Sequence, residues 1–146
     1  MLENYFLSND ENSEMSMFAE AVERFCEQEI APHYEQWEKQ GCVPKALFHK
    51  MGEAGLLCVD VPESEGGPGA SPRFSFLLDY LLSRRGYGGF VGGLQVHNDI
   101  IPPYLLHYGS AEQKQRWLPR LVSGQSIAAI GMTEPGAGSD LKNIRT

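Results

Sequence analysis

A chain of 146 residues, 42% hydrophobic and 21% charged, has the length and composition of one soluble globular core, and no apolar run approaches the ~18 residues of a membrane span. A net charge of −7 argues against a nucleic-acid partner. Three cysteines, Cys26, Cys42 and Cys58, with no Cys-x-x-Cys pair, argue against a disulfide framework and a zinc site, so no metal is expected. The N-terminus carries Glu3, Asp10, Glu11 and Glu14 where a leader would be basic, and the reading is a cytoplasmic, bacterial protein with reduced thiols. Residues 1–70 hold a balance of −10 and residues 71–146 one of +3, a pattern that first suggests solvated faces.

In chain order, Ser8-Asn9-Asp10-Glu11 fits a capping box. Behind it Met15, Phe18, Val22, Phe25 and Glu29-Ile30 recur at steps of three and four, which predicts an amphipathic helix stopped near Pro32. A short helix over 33–40 should end at Gly41. Pro44 suits the first position of a third helix, with Leu47, Phe48, Met51 and Ala54 on one face and Gly55 closing it. Residues 56–61 read as a buried extended piece, and 62–72 as the longest loop.

Residues 74–82 are apolar nearly all round, which predicts a central helix packed on several sides. After a break at Gly86-Tyr87-Gly88-Gly89, a second apolar helix is expected over 90–101, with Gly92-Gly93 where a backbone or a ligand comes close, and Pro102-Pro103 interrupting it. Ser110-Ala111-Glu112-Gln113 is another capping box, Glu112 and Arg116 form an (i, i+4) pair, and Pro119 should kink or end that helix. Residues 127–132 then read as a buried strand leading into a Gly-rich loop.

That loop, Thr133-Glu134-Pro135-Gly136-Ala137-Gly138-Ser139-Asp140, holds two glycines able to take positive φ, and the Gly138 and Ser139 amides and Ser139 hydroxyl are placed to converge on an anion. It is neither a Walker loop nor a complete dinucleotide fingerprint, since Leu141 stands at the third-glycine position. By spacing alone a tight turn capped by Ser139 or Asp140 explains it as well. His97, beside Asn98 and Asp99, is read as a packed, hydrogen-bonded residue rather than an acid–base catalyst.

The whole string resembles the flavin-binding signature of the acyl-CoA dehydrogenases. The likeness extends to Phe25-Cys26-Glu27-Gln28-Glu29-Ile30-Ala31-Pro32, Gly55-Leu56-Leu57, Pro62, Gly66-Gly67, His97-Asn98, Tyr108-Gly109-Ser110-Ala111-Glu112-Gln113-Lys114 and Trp117-Leu118-Pro119, and is greatest to long-chain and related bacterial members. Glu65 departs from the aromatic or aliphatic residue usual before Gly66-Gly67.

The resemblance implies an all-α helical-bundle domain over 1–125, followed over 126–146 by the first strand and loop of a β-domain. It implies FAD as cofactor, α,β-dehydrogenation of an acyl-CoA, an electron-transferring flavoprotein as acceptor, and homo-oligomers of the full-length enzyme. It assigns the flavin to Ile130, Met132, Thr133, Gly138 and Ser139, and the acyl-CoA to Ser139, with Leu94, Val96 and Ile100 lining the acyl pocket or simply packing the core. No catalytic residue is assigned, because the family's general-base glutamate belongs to a C-terminal helical domain and Glu134 is no substitute. This chain alone is therefore expected to be inactive. Two other readings stay open: a non-catalytic helical fragment or partner-binding module, and a flavin monooxygenase or nitroalkane oxidase on the same scaffold.

Overall fold

The computed structural model describes residues 12–146, so the capping box at residues 8–11 lies outside the described residues. Helix α1 (Asn12–Phe25) continues into a π-turn (Cys26–Ile30), and Met15, Val22, Cys26 and Ile30 form its buried stripe. Helix α2 (Tyr34–Gln40) stops at Gly41, whose φ of 70° no β-carbon opposes. Helix α3 (Lys45–Glu53) buries Leu47, Phe48 and Met51, with Pro44 as its extended cap.

Helix α4 (Pro72–Arg84) opens on Ser71, whose hydroxyl accepts from the Arg73 amide, and buries Leu77, Leu78, Leu81 and Leu82. It lies along α1 and beside α5 (Gly88–Gln95), the central position expected of an apolar helix. Glu23 of α1 clasps the far end of α4, pairing with Arg84 at 3.1 Å and with both Nε and Nη2 of Arg85.

Three expectations are corrected. Residues 56–61 are buried, but they turn instead of extending: Val61 N–H returns to the Cys58 carbonyl, and Cys58 takes φ 48°. The Asn98 side chain makes this bend possible, accepting from Cys58 N–H at 3.0 Å and donating to the Leu56 carbonyl at 3.4 Å, in place of a ladder partner.

Pro102 and Pro103 do not interrupt the helix. A π-turn (Val96–Ile100) carries α5 into α6 (Ile101–Tyr108), and the wider turn bonds Ile101 N–H to the Val96 carbonyl, relieving the crowding that a proline ring imposes on the turn before it. Helix α7 (Ala111–Val122) does not end at Pro119, one of the two outcomes expected there. The carbonyl Pro119 leaves without a donor is that of Gln115, an exposed residue, where solvent can supply one. Residues 127–132 form no strand: among the described residues there is no second strand to pair with, and Ile127, Ile130 and Met132 are about two-fifths exposed.

The α7 capping box forms as expected, with Ser110 Oγ accepting from Gln113 N–H and Ser110 N–H donating to Gln113 Oε1. Arg116 lies over the Trp117 ring, 4.8 Å from its centre. The end of α7 sits hard against α3. A Cβ on Gly52 would fall on the Ser123 carbonyl group, and Gly124, at φ 69°, has the Phe48 backbone against it.

Candidate functional site

A groove of about 710 Å³ runs between α2, the start of α3, α5 and residues 127–130. Its floor is bare because Gly89 and Gly93 stand one turn apart on α5, and nothing occupies the space a Cβ on Gly93 would fill. Trp37 and Phe48 give apolar walls, and Glu38 and Lys45 charge the rim. Of the two explanations for Gly92-Gly93, a close backbone or a ligand, the first fails: no atom lies within 4 Å of either missing Cβ.

Val96 and Ile130 both line this groove, so one residue expected to meet the acyl chain and one expected to meet the flavin share a cavity. Leu94 is fully buried in the core, and Ile100 is 38% exposed outside the groove. Trp37, Phe48 and Gly89 carry no site assignment in the sequence. The Gly92-Gly93 pair, read as a place where a backbone or a ligand comes close, is the one signal that points there, and Gly93 lines the groove.

The Gly-rich loop closes on itself. Glu134 and Ala137 exchange both backbone bonds, N–H to carbonyl at 2.9 and 3.1 Å, which leaves Pro135-Gly136 at the tip. Neither Gly136 nor Gly138 takes positive φ, contrary to the freedom expected of them. Their contribution is space, since a Cβ on either would meet nothing within 4 Å. Thr133, Gly138 and Ser139 are exposed, and among the described residues the Gly138 and Ser139 amides have no hydrogen-bond partner. The Glu134 carboxylate accepts from the Thr146 hydroxyl and from the Arg145 and Thr146 amides, each amide at 3.0 Å, and these bonds, the hydroxyl's foremost, hold it below the usual carboxylate range.

Beneath the groove lies a buried polar cluster. His97 has no exposed surface; its Nδ1 accepts from Ala128 N–H and its Nε2 lies 3.1 Å from the Leu121 carbonyl. Only the neutral Nε2–H tautomer satisfies both. Burial lowers its pKa, opposed in part by the Leu121 carbonyl. Burial likewise pushes the Cys58 thiol up to about 12 and Cys26 to about 11, so neither is a thiolate at neutral pH. Among the described residues no group of His, Cys, Asp and Glu is placed to hold a metal, and no helix is long and apolar enough to cross a membrane.

Residues 12–125 match the family described as acyl-CoA dehydrogenase, N-terminal domain. The chain is 40% identical over 136 residues to the mitochondrial long-chain specific acyl-CoA dehydrogenase of Sus scrofa, covering 92% of this chain and 31% of that protein. Its fold superposes on an acyl-CoA dehydrogenase from Geobacillus kaustophilus with a TM-score of 0.83 at 48% identity, over 90% of this chain and 34% of the other. It also superposes on a Mycobacterium smegmatis glutaryl-CoA dehydrogenase in complex with FADH2, with a TM-score of 0.84 at 29% identity, over 98% and 36%. The chain thus spans about a third of these relatives, and it belongs to the acyl-CoA dehydrogenase family as its N-terminal, helical part.

Proposed function

We propose that this chain forms one wall of the flavin and acyl-CoA site of an acyl-CoA dehydrogenase. The carrying observation is the groove that Val96 and Ile130 both line, with the Thr133–Asp140 loop following shortly after its 127–130 wall. The loop fits FAD: the exposed Gly138 and Ser139 amides suit an anionic phosphate, both glycines leave room for close approach, and the Thr133 hydroxyl can give or accept a bond as the ring changes polarity. Bound flavin supplies the acceptor for the substrate's β-hydride. With flavin bound, Ile130 and Met132 would pack beside it, Ser139 would stand between cofactor and thioester, and Val96 would bound the acyl chain, with Leu94 in the core and Ile100 outside the groove contributing to the same wall.

In this reading the helical domain ends at 125 and the β-domain begins at 126. The full-length enzyme is an oligomer in a reducing cytoplasm and passes electrons to an electron-transferring flavoprotein. This chain alone does not turn over acyl-CoA, because general-base catalysis, worth roughly 10²–10⁴-fold, needs the glutamate of a C-terminal domain. The test replaces the matching N-terminal third of the Geobacillus enzyme with this chain. The chimera should purify with flavin and oxidise a long-chain acyl-CoA with an artificial acceptor, while the chain by itself should match a no-protein control. A folded chimera that holds no flavin would overturn the assignment.

A further inference from the structure

We propose that His97 is a positioning residue: its ring ties residues 126–130 to the helical bundle and so sets the separation of the two walls of the groove. The consequence for catalysis rests on the function proposed above, but the tie itself does not. Val96, one residue before His97, lines one wall; Ala128, whose N–H enters Nδ1 at 3.1 Å, lines the other. After Ser126, whose N–H returns to the Arg120 carbonyl at 3.0 Å, the Ala128 bond is the one hydrogen bond that holds residues 127–133 to the bundle among the described residues.

The ring is itself fixed from the other side. Nε2–H donates to the Leu121 carbonyl in the last turn of α7, which also accepts from Gly124 N–H at 3.0 Å, and the Phe48 ring packs edge-on at 5.5 Å. The facing groups are the Phe48 ring from α3, the Leu121 carbonyl from α7 and the neutral Cys58 thiol, 3.9 Å from Nε2, from the 56–61 turn; Asp99, two residues on, is engaged by the Ser75 hydroxyl. Protonation would make Nδ1 a donor pointing at a donor, so the tie exists only with the neutral ring.

The test uses the full chain without flavin. Nitrogen NMR of the ring should show unprotonated Nδ1 and protonated Nε2. Relative to the parent, His97→Leu should speed exchange of the Ala128 amide about 3- to 10-fold, the worth of one net hydrogen bond, while His97→Gln, with an acceptor and a donor similarly spaced, should restore protection. Ala128→Pro deletes the donor and leaves the core side chains untouched, so it carries the test even if His97→Leu unfolds. In it the imidazole should titrate at higher pH than in the parent, because protonation no longer costs a bond. Unchanged Ala128 exchange in a folded His97→Leu, or an identical His97 titration in Ala128→Pro, would overturn the proposal. In the Geobacillus chimera, Ala128→Pro should raise KM more than it lowers kcat. A tie confirmed by NMR in a chimera that binds no flavin would refute the proposed function alone.

Discussion

The same substitution should act with opposite sign at two helical glycines. Gly52 lies inside α3, and a Cβ there would be 2.9 Å from Ser123 Cα and closer still to that residue's carbonyl carbon and oxygen. These are backbone atoms at the end of α7, which cannot swing away as a side chain can. Overpacking of this kind costs about 1–3 kcal/mol, and three backbone contacts below 3.0 Å put this site in the upper part of that range, about 2–3 kcal/mol. Alanine's better helix propensity returns about 0.5–1 kcal/mol, so Gly52→Ala should lose about 1–2.5 kcal/mol net. At ~2–4 °C per kcal/mol for a chain near this size, the midpoint of thermal unfolding should fall by about 2–10 °C. Gly92 is exposed inside α5 with nothing within 4 Å, so Gly92→Ala keeps only the propensity gain and should raise the midpoint by about 1–4 °C. Circular dichroism of the two variants is sufficient. A midpoint unchanged or raised in Gly52→Ala would mean that α3 and the end of α7 do not touch as described.

Ser110→Ala removes half of a formed capping box and should cost about 1 kcal/mol, read as a lower denaturation midpoint with unchanged m-value. Asp79 is pushed up to about 6, first by burial, which leaves one oxygen without a partner, and also by Asp99, against the lowering effect of the Gln95 amide that donates to the other oxygen. A carboxyl raised above its unfolded value binds its proton more tightly when folded, so its contribution to stability is lost as pH rises from about 4 to about 6. Asp79→Asn should flatten that part of the pH–stability curve and stabilise the chain at pH 7. Gly138→Val meets open space and should leave the melting of this chain unchanged, yet abolish flavin retention in the chimera. Ser139→Ala should weaken flavin binding there by the ~0.5–1.5 kcal/mol of one hydrogen bond, and Thr133→Val should shift affinity or potential; equal flavin content in all three would leave the loop a mere turn.

The helices were legible because their signals are local. Met15, Val22 and Ile30 repeat with the helical period, Ser110 and Gln113 sit at cap spacing, and Gly41 marks a left-handed stop, so each could be read within a few residues. What was not legible depends on partners far along the chain. Nothing near residue 58 announces that Asn98, forty residues on, will bend residues 56–61 around its amide. The prolines misled for the same reason: a local rule ends a helix at Pro102, whereas the structure widens the preceding turn instead. At the candidate site, the loop was legible as a string and Val96 and Ile130 as family positions, but the groove joining them depends on α2 and α3 packing over a bare face of α5.

Both π-turns stand in the same relation to a proline. Ala31 N–H bonds the Cys26 carbonyl just before Pro32, and Ile101 N–H bonds the Val96 carbonyl just before Pro102. In the first case the rod ends; in the second it runs on through α6, so proline alone does not decide the outcome. The difference lies in what the wide turn holds. At Val96–Ile100 it turns His97 and Asn98, adjacent polar residues, both into the core, where each finds two backbone partners: Ala128 and Leu121, on two segments, for the imidazole, and Cys58 and Leu56, both in the 56–61 turn, for the amide. A regular helix advances 100° per residue and seldom buries two such neighbours in satisfied positions. One insertion in the hydrogen-bond ladder thus joins the 56–61 turn, the end of α7 and the segment leading to the Gly-rich loop at a single point. Val96, at the start of that insertion, is left facing the groove.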